Sequence, residues 1–115
     1  MALDDDLMFI AEEAELSCKN GQPILNLPIY FENSDGTDFP FPAYVSAYLN
    51  IYQGKGETLL KSYTSQLTRN SAIIVLNLSA SDMTFGSFGK YYYELGYVYS
   101  GGYTVLLRFG NFTVQ

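Results

Sequence analysis

The sequence predicts an all-β domain, an antiparallel sandwich of about seven strands preceded by a short N-terminal arm. Two patterns point there: apolar residues recur at period two in several short stretches, and turn-forming residues punctuate them about every ten residues. A third observation fixes the scale. With 115 residues, 48% of them hydrophobic and 16% charged, the chain has the size of one domain and enough apolar surface to build its own core.

Residues 1–15 form the arm and 16–115 the domain. In the arm every charge is negative (Asp4, Asp5, Asp6, Glu12, Glu13, Glu15), and Gly and Pro are absent. Leu3, Leu7, Ile10 and Ala14 follow a helical spacing, and aspartates at the start suit a helix dipole. Met8 and Phe9 interrupt the polar face. Two outcomes stay open: an arm ordered by a partner, or a first strand or helix packed on its own domain.

Strands are expected to start near residues 16, 24, 44, 58, 73, 91 and 103. Asn20-Gly21, Asp35-Gly36 and Ser100-Gly101-Gly102 supply turns of hairpin type. From Tyr44 to Tyr52, Val45, Ala47, Leu49 and Ile51 share one face, opposite Tyr44, Ser46, Tyr48, Asn50 and Tyr52. Ile74, Leu76 and Leu78 make the more buried face of a central strand. Tyr91, Tyr93, Leu95 and Tyr97 oppose Tyr92, Glu94, Gly96 and Val98, and Glu94 marks its own face as the wetter one. Gly110 offers a bulge or bend in the last strand. Seven such strands suit an immunoglobulin-like two-sheet sandwich.

Composition narrows the function. Twelve acids against six bases give a net charge of −6, and no two basic residues are adjacent, which disfavours nucleic acid. No apolar run approaches the roughly 20 residues of a membrane span. Acidic residues stand where a signal peptide carries positive charge, so synthesis in a cytosol is expected.

The residues offer little chemistry. With no histidine and one cysteine, Cys18, neither a Cys or Ser nucleophile with its usual base nor a common zinc site is available, and Cys18 reads as a small buried residue. Glu32, Asn33, Asp35, Thr37 and Asp38 surround Gly36 like a loose calcium loop, but Pro42 stands where an EF-hand needs its last acid. No phosphate loop follows a strand. The chain therefore reads as a binding domain without catalytic residues, cofactor or metal.

Aromatic content is the unusual feature: 11 Tyr and 8 Phe without Trp. Tyr91, Tyr93 and Tyr97 are assigned to the core. Tyr44, Tyr48 and Tyr52 read either as an interface row or as cross-strand cladding. An exposed tyrosine row also stacks on sugar rings, which keeps a carbohydrate-binding module in view.

Three stretches carry a resemblance: Leu16 to Pro23 with Ser34-Asp35-Gly36-Thr37, then Leu78 to Asp82 with Gly89 to Leu95, and finally Leu106 to Val114. Over residues 15–115 they are similar to the immunoglobulin-like domain of tailed-bacteriophage virion proteins, including the N-terminal domain of baseplate upper proteins. The resemblance implies a multi-copy virion structural protein whose partners are major capsid or tail proteins. Because the chain stops at Gln115 in strand pattern, an auxiliary or decoration subunit on the capsid is expected ahead of a tail, baseplate or fibre adaptor. Its contacts are expected from Leu3, Leu7, Phe9 and Ile10 of the arm and from Tyr44, Tyr48 and Tyr52.

Overall fold

A computed structural model describes residues 12–33, 35–42, 45–70 and 72–115. Among the described residues there are nine strands: β1 (Glu12–Glu13), β2 (Leu16–Cys18), β3 (Ile24–Tyr30), β4 (Val45–Tyr52), β5 (Leu59–Tyr63), β6 (Leu67–Asn70), β7 (Ile73–Leu78), β8 (Gly89–Tyr99) and β9 (Thr104–Val114). The larger sheet runs β1-β9-β8-β4-β5, with β2 also on β9, and the smaller runs β3-β7-β6. Lettered as an immunoglobulin sandwich, β3, β7 and β6 are B, E and D, while β9, β8, β4 and β5 are G, F, C and C′. No helix long and apolar enough to cross a membrane occurs among the described residues.

The period-two faces meet between the sheets. Ala47, Leu49 and Ile51 of β4 and Tyr91, Tyr93, Leu95 and Tyr97 of β8 pack in one cluster with Ile74, Leu76 and Leu78 of β7. Each large side chain taken from water there stabilises the fold by about 1.5–3 kcal/mol. Cys18 is free and half-buried beside this core, and burial pushes its thiol pKa up, so it is a poor nucleophile.

Tyrosine hydroxyls tie the periphery to that core. Tyr91 Oη donates to the Ser87 carbonyl at 2.8 Å, a tyrosine corner at the entry to β8. Tyr63 Oη donates to the Asp82 carbonyl at 2.6 Å. The Asp82 turn closes reciprocally: Ser79 N–H donates to Asp82 Oδ2 at 2.9 Å, and Asp82 N–H to Ser79 Oγ at 3.1 Å. Tyr93 Oη reaches the Ala14 carbonyl at 2.6 Å.

Several expectations are corrected. Asn20-Gly21 does form a turn, with Gly21 at φ 79° and Gln22 N–H donating to the Lys19 carbonyl, but β2 and β3 lie in different sheets, so it is not a hairpin. The irregularity in β9 falls between the partners of Leu95 and Gly96, where Leu107 is the extra residue, and not at Gly110. Gly110, at φ 151°, instead lets the backbone of Ala14 approach, since a Cβ there would overlap the Ala14 carbonyl. The N-terminal segment, for which a packed first strand was one of the two open outcomes, pairs at Glu12 and Glu13, which run parallel to Arg108 and Phe109.

Candidate functional site

Outward-facing residues of the larger sheet form rows across β4, β8 and β9: Tyr52, Tyr92 and Asn111, then Asn50, Glu94 and Phe109, then Tyr48, Gly96 and Leu106. Strand pairing alone sets these rows, so the face is as rigid as the sheet. Tyr52 and Tyr92 rings stand 6.2 Å apart and Tyr92 and Phe109 6.4 Å, both pairs tilted by nearly 50°. Tyr52 Oη donates to Glu94 Oε1 at 3.3 Å, and Ser62 Oγ to Asn50 Oδ1 at 2.6 Å.

This face is drier than Glu94 suggests from sequence. Tyr48 is only 7% exposed and Tyr92 9%. Tyr48 packs against Gly96, where an added Cβ would come to 3.0 Å from its ring and hydroxyl. Burial, with the nearby Glu94 charge adding to it, pushes the Tyr48 pKa up to about 12. Among the expected contact residues, then, Tyr48 is buried cladding and Tyr52 is half-buried and bonded to Glu94. Leu3, Leu7, Phe9, Ile10 and Tyr44 lie outside the described residues.

Beside the ring ladder the face opens into a cleft of about 190 Å³. Tyr92, Phe109 and Asn111 line it from the sheet, Lys90 from the start of β8, Gly54 and Lys55 from the β4–β5 turn, and Glu13 from β1. The turn is held by Gln53 N–H donating to the Thr58 carbonyl at 2.8 Å and Glu57 N–H to the Gly54 carbonyl at 3.0 Å. The lining, which also includes Tyr91 and Gly110, brings two lysines, one glutamate, one asparagine and three aromatic residues to one small space.

A second aromatic group sits where the loop between β3 and β4 meets the β8–β9 hairpin. Phe39 and Phe41 pack edge to face at 5.0 Å, and Phe41 packs on Tyr97 at 5.6 Å. From Tyr97 the series continues to Tyr99 at 5.7 Å and on to Tyr103 at 5.8 Å. Tyr103, at the hairpin tip, is 70% exposed. Sequence reasoning singled out neither Tyr103 nor Lys55 and Lys90. The scarcity of basic residues was the available signal for the lysines, and the Gly101-Gly102 turn for Tyr103.

The calcium-like loop spends its oxygens internally. Asp35 Oδ1 accepts from Thr37 N–H at 3.0 Å and Thr37 Oγ1 at 2.6 Å, which lowers the Asp35 pKa, and Tyr30 donates to Asp38. No family model matches the chain, and no curated protein is recognisably similar to it.

Proposed function

We propose that this chain is a structural protein of a tailed-bacteriophage virion, an auxiliary subunit that decorates the capsid surface through protein–protein contacts. The observation that carries the binding role is the Tyr97–Tyr99–Tyr103 series, which links an exposed tyrosine at a loop tip, through the exposed Tyr99 ring, to Tyr97 in the core. Such a side chain loses little conformational freedom on docking, which is why tyrosines dominate interface energetics. The virion setting rests on the resemblance. Its motif residues Ser79, Asp82 and Tyr91 make the turn and corner contacts that shape the sandwich.

Two measurements test the reading. Mass spectrometry of purified particles should find the protein at tens to hundreds of copies, and intact particles lacking it would reject a virion role. Purified protein added to particles stripped of it should cosediment with them. Tyr103→Ala, at an exposed site, should keep its melting temperature while weakening cosedimentation roughly 30-fold, the effect of losing an interface anchor worth about 2 kcal/mol. Unchanged cosedimentation would move the contact away from the tip. A copy number matching tail rather than capsid symmetry would favour the adaptor role.

A further inference from the structure

The chain has six basic residues, and three of them are laid over aromatic rings: Lys61 over Phe85 at 4.9 Å, Arg69 over Phe41 at 5.6 Å and Arg108 over Phe31 at 5.0 Å. Arg108 also pairs with Glu12 at 3.1 Å. Of the other three, Lys55 and Lys90 line the same cleft, and neither is ion-paired among the described residues. In a protein of charge −6, two unpaired ammonium groups beside one small space stand out against their surroundings.

We propose that the cleft bounded by Lys55, Lys90, Tyr92, Phe109, Asn111 and Glu13 binds an acidic sugar residue, a pyranose carrying one carboxylate. Two lysines on the lining of one cleft favour an anion there, and a carboxylate has one oxygen to offer to each. Phe109, partly exposed, gives an apolar wall for the C–H face of a pyranose, while the nearly buried Tyr92 forms the floor. Asn111 supplies both a donor and an acceptor for hydroxyl groups. Glu13 accepts only, so it suits a ligand with hydroxyl donors next to its acid.

Glu13 also tells against other anions. Its charge repels a doubly charged phosphate more strongly than a single carboxylate, and it can accept from the hydroxyl groups that flank the acid of such a sugar. Gly54 and Gly110 place no side chain in its walls. This inference is independent of the virion assignment, and either can fail without the other.

The test titrates the full isotope-labelled chain, followed by NMR, with glucuronate and N-acetylneuraminate, each alone, and then with glucose, acetate and a capped aspartate. At least one acidic sugar should give saturable shifts at the amides of Glu13, Gly54, Lys55 and Asn111. Glucose, acetate and capped aspartate should each bind at least about tenfold more weakly. The Lys55→Ala/Lys90→Ala double variant changes only exposed side chains. It should melt with the wild type yet lose affinity by at least about tenfold. The proposal is overturned if neither sugar gives saturable shifts, if acetate matches the sugars, or if the shifts lie elsewhere. Tighter binding of capped aspartate would reassign the cleft to a peptide carboxylate and overturn it equally.

Discussion

Tyr93→Phe isolates one hydroxyl that joins the link between β1 and β2 to the core. Tyr93 is fully buried in β8, opposite Gly110 of β9, and its hydroxyl donates past that glycine to the Ala14 carbonyl at 2.6 Å. Ala14 N–H in turn donates to the Phe109 carbonyl at 2.9 Å. Phenylalanine keeps the ring against Phe112 and removes only the donor. A net hydrogen bond is worth about 0.5–1.5 kcal/mol, and a carbonyl left dry costs about 1–3. Ala14 is half-buried, so water regains part of its carbonyl, and the loss should be about 1–2 kcal/mol.

At about 2.1 cal/mol/K of unfolding entropy per residue, that loss lowers the melting temperature of a chain this long by roughly 4–8 °C. Calorimetry reads the shift, and hydrogen exchange should show the Ala14 amide losing protection while the β4–β8 amides keep theirs. A melting temperature within about 1 °C of wild type, with Ala14 equally protected, would refute the tie. The same hydroxyl gives a pH signature. Burial raises its pKa from 10.0 to about 12, so folding favours the neutral form. Its contribution is complete below pH 10 and is lost as pH rises through about 12, a loss the variant should not show.

Three further outcomes follow from the same contacts. Gly96→Ala places a Cβ onto the Val105 carbonyl and against Tyr48 beside the β9 bulge, and should cost about 2–4 kcal/mol by urea titration, above the usual overpacking range because backbone must move. Tyr91→Phe opens the tyrosine corner and should lower the denaturation midpoint by the equivalent of about 1–2 kcal/mol with an unchanged m-value. Tyr48, Tyr63 and Tyr97 are also pushed up to about 12 by burial, so tyrosinate absorbance should rise in two steps, the upper one coinciding with unfolding. A single step near the ordinary tyrosine range would refute their burial.

The strands legible in the sequence are those with one face in the core. Val45 to Tyr52, Ile73 to Leu78 and Tyr91 to Tyr97 announce themselves by period two because burial acts on alternate residues. β6 escaped notice because it is a four-residue edge strand with a single buried residue, Leu67. β2 was legible as a strand starting at residue 16, but its partner, like that of β1, was not. Their parallel pairing with β9 joins opposite ends of the chain, and no local pattern encodes a partner that distant. The cleft was hidden likewise: Lys55 sits in a turn and Lys90 at a strand start, and only the β4–β8 register brings them to one space. Tyr48 was legible as outward-facing but not as buried, because its cover depends on Gly96 of the neighbouring strand.

The tyrosine content has a structural role beyond filling volume. With only one cysteine, the chain cannot form the cross-sheet disulfide that staples many immunoglobulin domains. Three core rings carry hydroxyls to the periphery: Tyr91 to the corner before β8, Tyr63 to the Asp82 turn, and Tyr93 to the link between β1 and β2. At about 1 kcal/mol each, they contribute roughly 3 kcal/mol together, within the 2–4 kcal/mol typical of a disulfide. The mechanisms differ, since a disulfide restricts the unfolded chain whereas these bonds act only in the folded one. Their vulnerability differs too. This sandwich should be indifferent to reducing agents and sensitive to alkali, because Tyr63 and Tyr93 hold their protons up to about 12 and lose these donors only above it.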